Sequence, residues 1–119
     1  MRILFLLLAC LNSGLAIADG SSFLSDCKVA IDIIEGRPNN GSQIRAGACL
    51  GTVQGMRHLN SFYSLTLNKD QLFFCIPDKV SAGQLARVVI SYLEKNPAKL
   101  HEHEGGLVLS SFVDAYPCK

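Results

Sequence analysis

The densest chemistry in the sequence is His101-Glu102-His103-Glu104. Two imidazoles and two carboxylates within four residues are donor types that hold zinc, provided the loop curls round one ion. The spacing argues against this. Catalytic zinc draws its ligands from rigid elements, and the His-Glu-x-x-His pattern sets its imidazoles one helical turn apart. Here they stand two residues apart in a loop before Gly105-Gly106. The tandem therefore reads as a polar contact loop, with no metal and no cofactor expected. His58, beside Arg57, reads as a surface or hydrogen-bonded packing residue, and Glu94 and Asp114 as carboxylates on solvated helix faces.

No nucleophile motif accompanies these residues. The chain lacks Gly-x-Ser-x-Gly and Cys-x-x-Cys. Its five cysteines are Cys10, Cys27, Cys49, Cys75 and Cys118. No catalytic residue is expected, and the protein does not read as an enzyme.

The N-terminus fixes the expected compartment. Met1-Arg2 is a minimal positive start, Ile3 to Ala9 is unbroken apolar sequence, and Ala16-Ile17-Ala18 precedes Asp19 as a small-x-small cleavage site. Residues 1–18 are therefore expected to be a signal peptide and residues 19–119 one mature domain. Asn12, Ser13 and Gly14 break the apolar run well short of the roughly 20 residues a spanning helix needs, so the mature form is expected to carry no membrane anchor. Leu7-Leu8-Ala9-Cys10 resembles a lipidation box and is the alternative; it changes the anchoring and leaves the domain alone.

The remaining chain, of about a hundred residues, is one domain with a modest core. Lys and Arg total 11 against 10 Asp and Glu, and losing Arg2 balances them, so no basic field exists to hold nucleic acid. Four cysteines survive cleavage. An even count in a small exported domain argues for two disulfides.

Hydrophobic periodicity predicts the elements that position these residues. Ser22 to Glu35 reads as a helix burying Phe23/Leu24, Cys27, Ala30/Ile31 and Ile34, stopped by Gly36 and Pro38. Gln43 to about Phe62 reads as a second, capped by Ser42, burying Ala46, Cys49/Leu50, Val53, Met56 and Leu59/Asn60. Its interior holds Gly47, Gly51 and Gly55, each costing roughly 0.5–1 kcal/mol against alanine. Three on one face need a packing reason: a neighbouring helix of the same chain, or alternatively a twin subunit or partner. Arg45, Gln54, Arg57 and His58 exclude pairing within a membrane.

Tyr63 to Asp78 reads as an irregular or short helical connector packed by its aromatics. Ser81 and Gln84 form a capping box, with Val80 and Leu85 as staple, for a third helix that buries Leu85, Val88/Val89 and Tyr92/Leu93 and ends before Pro97. Ala98 to Gly106 reads as a charged loop, and a last helix runs from about Leu107 to Pro117 with Leu109, Phe112/Val113 and Tyr116 inward. The fold class is all-α, a small four-helix assembly. If the first two helices form a hairpin, Cys27 and Cys49 sit at similar height; pairing the last two brings Cys75 to Cys118. The expected bridges are Cys27–Cys49 and Cys75–Cys118.

Three stretches then align in order with a known pattern. Gly47-Ala48-Cys49-Leu50-Gly51-Thr52-Val53-Gln54-Gly55 comes first, then Phe74-Cys75-Ile76-Pro77 with Val80-Ser81-Ala82-Gly83-Gln84-Leu85, then Val88 to Asn96-Pro97. With the tail Leu107 to Cys118, ending Tyr-Pro-Cys, nearly all of the mature chain resembles the Rap/Tai family of immunity proteins. The resemblance implies a small helical periplasmic protein, often a homodimer, that sterically blocks a peptidoglycan amidase effector of type VI secretion. The expected contact surfaces are the exposed loop with Lys99, His101, Glu102, His103 and Glu104, and the outward side of the third helix at Arg87, Ser91 and Lys95. The alternative is a periplasmic structural or adaptor domain that binds an envelope protein and inhibits nothing.

Overall fold

The computed structural model describes residues 18–119. Of the expected export signal only Ala18 falls within them, and Cys10 lies outside. Four helices form: α1 (Gly20–Ile34), α2 (Gln43–Tyr63), α3 (Ala82–Lys95) and α4 (Glu104–Ala115). Single 3-10 turns occur at Lys69–Gln71 and Pro97–Lys99. Among the described residues there is no strand, only an isolated bridge between Asp19 and His103. The all-α, four-helix fold expected from the sequence is the one found.

Each helix begins where a side chain satisfies amides that lack an intrahelical partner. The Asp19 carboxylate accepts from Ser22 N at 2.8 Å, a bond that holds its pKa below the ordinary carboxylate range. Ser42 accepts from Arg45 N. At α3 the reciprocal box is complete: Ser81 Oγ accepts from Gln84 N at 3.2 Å, and Gln84 Oε1 accepts from Ser81 N at 2.8 Å. After α1, Gly36 takes φ 66°, a left-handed turn that only glycine enters without a Cβ penalty.

The core draws on every helix. Phe23, Cys27 and Ile31 of α1, Cys49 and Val53 of α2, Leu85, Val89 and Leu93 of α3, and Leu107, Val108 and Phe112 of α4 are buried together. α3 is central and packs against the other three. The connector contributes Phe74, whose ring meets Phe112 edge-on at 5.3 Å. Its backbone is held by α2: Asn60 Nδ2 donates to Phe74 O at 2.9 Å, and the Arg57 guanidinium donates to the carbonyls of Asp78 and Val80. Both expected bridges are present, Cys27–Cys49 with Cα atoms 5.2 Å apart and Cys75–Cys118 with 5.0 Å.

Three expectations are corrected. α4 begins at Glu104, three residues before Leu107, because His103 serves as its cap: Nδ1 accepts from Gly105 N at 3.1 Å. Glu104 then lies at the positive end of the helix dipole. Its buried face is Leu107, Val108, Ser111 and Phe112, leaving Leu109 half-buried and Val113 exposed. On α1 and α2, Ile34 and Leu59 are exposed instead of inward. Third, no helix among the described residues fills the groove at Gly47, Gly51 and Gly55: a Cβ at any of them meets nothing within 4 Å.

A different glycine permits close approach. A Cβ on Gly20 would run into the Leu107 side chain and lie 3.1 Å from Leu100 O. That proximity lets Gly20 N donate to Glu102 O and Ser21 N to Leu100 O, both at 3.1 Å, while Glu104 N donates to Ala18 O at 3.2 Å. The charged loop thereby supplies acceptors to the first turn of α1.

Candidate functional site

α3 buries Leu85, Ala86, Val89 and Leu93, so a half-turn away its outward side carries Arg87, Ser91 and Lys95 at four-residue spacing. Asn96 and Pro97 end the helix, and the 3-10 turn that follows bends the chain back, bringing Lys99 to the same side. α4 packs beside it and contributes Asp114. Arg87, Ser91, Lys95, Lys99 and Asp114 together line one open cleft of about 520 Å³ between α3 and α4, with Tyr92 and Ser111 also on its wall.

The cleft is cationic, with three cations against one carboxylate. Arg87 is tied by Glu35, the cap at the end of α1, which also pairs with Arg37, itself 2.6 Å from Asp32. Lys99 is placed by an aromatic residue: Nζ donates to Tyr92 Oη at 3.1 Å and lies 5.6 Å from the ring centroid. That hydrogen bond, then the phenol's charge coupling, raise the lysine's pKa above its ordinary value, so it is charged at neutral pH. Lys95 has no ion pair among the described residues and is exposed. Such a wall can hold a carboxylate or a row of carbonyl oxygens from a partner segment through charge-assisted hydrogen bonds.

The loop histidines are not brought together. His103 is spent on capping α4 through Nδ1, while His101 and Glu102 are exposed in the turn before it. Among the described residues no group of three or more His, Cys, Asp or Glu side chains is placed to hold a metal ion. The expected contact set thus divides in two. Arg87, Ser91, Lys95 and Lys99 share the cleft, whereas His101, Glu102, His103 and Glu104 form a neighbouring strap pinned to the start of α1.

Two cleft residues escape a sequence reading. Tyr92 falls on the buried stripe by periodicity, and its hydroxyl reaches Lys99 only because the chain bends back at Pro97. Asp114 reads as a solvated carboxylate, and only the packing of α4 against α3 brings it to the cleft. Glu94, read in the same way, is in an ion pair with Lys28 of α1 at 2.8 Å.

No described helix is long and apolar enough to cross a membrane. No curated protein and no solved structure matches the chain. The family model of the Rap1a immunity proteins matches residues 19–118, from the cap of α1 to the second cysteine of the last disulfide. The helices, both bridges and the whole of the α3–α4 cleft lie inside that span, and the chain belongs to the Rap1a immunity protein family.

Proposed function

We propose that the chain is a periplasmic immunity protein that binds and sterically blocks a peptidoglycan amidase toxin delivered by type VI secretion. The observation that carries this reading is the family match over residues 19–118. Residues 1–18 act as an export signal removed after Ala18, which delivers the domain to an oxidising compartment where two disulfides persist.

The mechanism is occlusion, and it needs no reactive group. The cationic side of α3 at Arg87, Ser91 and Lys95, with the strap from Lys99 to Glu104, docks on the toxin and fills its substrate cleft. A backbone stiffened by two bridges, with the strap held to the first turn of α1 through the carbonyls of Leu100 and Glu102, loses little entropy on docking. The active form is a homodimer.

The test is co-expression of the full chain with a periplasm-directed amidase encoded beside it. The expected result is survival of the cells and a stable complex on purification. Reversing Lys95→Glu and Lys99→Glu together is expected to weaken the complex at least tenfold, about 1.4 kcal/mol, with the fold unchanged by circular dichroism. Cells that lyse despite soluble, oxidised protein would reject inhibition and leave an adaptor that binds an envelope protein.

A further inference from the structure

Arg87 stands on the ridge between two depressions. A groove of about 350 Å³ between α1 and α3 is lined by Lys28, Asp32, Arg37 and Arg87, and Arg87 is the one residue it shares with the α3–α4 cleft. On the α1 side each charge has a partner: Lys28 pairs with Glu94 at 2.8 Å, Arg37 with Asp32 at 2.6 Å, and Glu35 with both Arg37 and Arg87. On the cleft side Lys95 and Lys99 are set against Asp114 alone. The guanidinium of Arg87 is held on the balanced side of the ridge, next to a cleft that lacks negative charge.

The pairing is asymmetric. Arg87 has one carboxylate partner among the described residues, whereas Glu35 has two guanidiniums. If Arg87 turns over the ridge by rotation about its own side-chain bonds, Glu35 keeps Arg37 and no charge is stranded. Both groups are partly solvated, the Arg87 side chain 46% and that of Glu35 31% exposed, so breaking their contact costs little desolvation. What replaces it must still match a carboxylate. A backbone carbonyl or amide offers a weaker, neutral acceptor, whereas Asp or Glu offers the same charge-assisted fork.

We infer that Arg87 is an exchangeable cation: Glu35 holds it in the free protein, and a carboxylate of an acidic partner segment seated in the α3–α4 cleft takes it over, leaving Glu35 with Arg37. Assigning that segment to the toxin rests on the reading of the cleft as the docking surface, while the exchange itself is read from the ion pairs. Glu35 is then a built-in competitor that sets specificity. It keeps Arg87 from neutral segments and yields it to acidic ones, which meet Lys95 and Lys99 in the same cleft.

The test uses the full oxidised chain and a fluorescent, end-capped tetraglutamate peptide, with tetraglutamine as its neutral counterpart. Polarisation titrations are expected to show that wild type prefers the glutamate peptide and that Arg87→Gln weakens it. Glu35→Gln removes the competitor and is expected to tighten glutamate binding about two- to fivefold, the range an exposed ion pair supplies. In the Arg87→Gln background the same change is expected to have no effect, which separates exchange from the general gain of deleting a negative charge near an anion site. Weaker or unchanged glutamate binding by Glu35→Gln, or a gain that persists without Arg87, would overturn the exchange. The same four proteins are then titrated with the amidase encoded beside the chain. Tightening by Glu35→Gln that again needs Arg87 supports the toxin as the acidic partner. An amidase bound equally by wild type and Glu35→Gln would remove the exchange from toxin binding and leave the inhibitory reading intact, whereas an amidase bound by none of the four would reject that reading while the peptide result stands.

Discussion

Asp19 shows how one side chain serves two parts of the molecule. Its carboxylate caps α1 through Ser22 N, and its backbone bridges His103, so the start of the first helix and the start of the last are fixed together. Because the hydrogen bond from Ser22 lowers its pKa, the sign of the pH effect follows. The ionised cap contributes stability above the unfolded carboxylate value of 3.8, and that contribution is lost as pH falls through the lower folded value. Asp19→Asn keeps an acceptor but removes the titration. Thermal melts of variant and wild type are expected to differ at pH 7 and to converge in acid, once pH has fallen through the lowered folded value. Lys99 behaves oppositely. Its raised pKa preserves the charge into the alkaline range, and the contribution from Tyr92 is lost only as pH rises through the folded value. Tyr92→Phe is expected to leave that charge in place while loosening its position. Its effect on complex affinity is therefore expected to fall below that of Lys99→Glu, measured by titration calorimetry.

At the scale of elements, the helix starts divide by how local their causes are. The α3 start is written in four consecutive residues, and Ser81→Ala is expected to cost about 1 kcal/mol, read as a lower urea midpoint at unchanged slope. Everything that makes that cap lies within one turn, so it is legible in the sequence. The α4 start is not. Histidine is an uncommon cap, and Gly105-Gly106 resembles a break; the helix survives because Leu107 and Val108 are fully buried against the other three. The outward side of α3 was legible as a polar stripe, since it is the complement of a clear apolar one. That Lys99 and Asp114 join it was not, because their positions depend on the bend at Pro97 and on how α4 packs. The α2 glycines read as a seam for a neighbouring helix, but spacing alone does not say what packs there, and a Cβ at any of the three meets nothing within 4 Å.

For the molecule as a whole, the two disulfides carry different loads. They close separations of 22 and 43 residues, for which chain entropy gives about 3.4 and 4.0 kcal/mol. On that basis the longer loop matters more. Burial reverses the order. Cys27 and Cys49 are fully buried, and replacing both with alanine empties space in the core, adding roughly 1 kcal/mol; Cys75 and Cys118 are only half-buried. The expected loss is therefore about 4–5 kcal/mol for Cys27→Ala with Cys49→Ala, and about 4 for Cys75→Ala with Cys118→Ala. Both are measurable by urea denaturation. Affinity is expected to separate them more sharply. The first bridge joins α1 to α2, away from the cleft. The second ties the connector to the end of α4, where Cys75 N also donates to Tyr116 O at 2.8 Å, two residues beyond Asp114. Removing it frees the end of the helix that forms one cleft wall, so partner binding then has to order that wall as well as meet it. Binding is expected to weaken several-fold in the second variant and to stay within twofold of wild type in the first, at a temperature where both are folded. Equal weakening in both would show that the bundle is stiff as one body and that neither bridge holds the contact surface in particular.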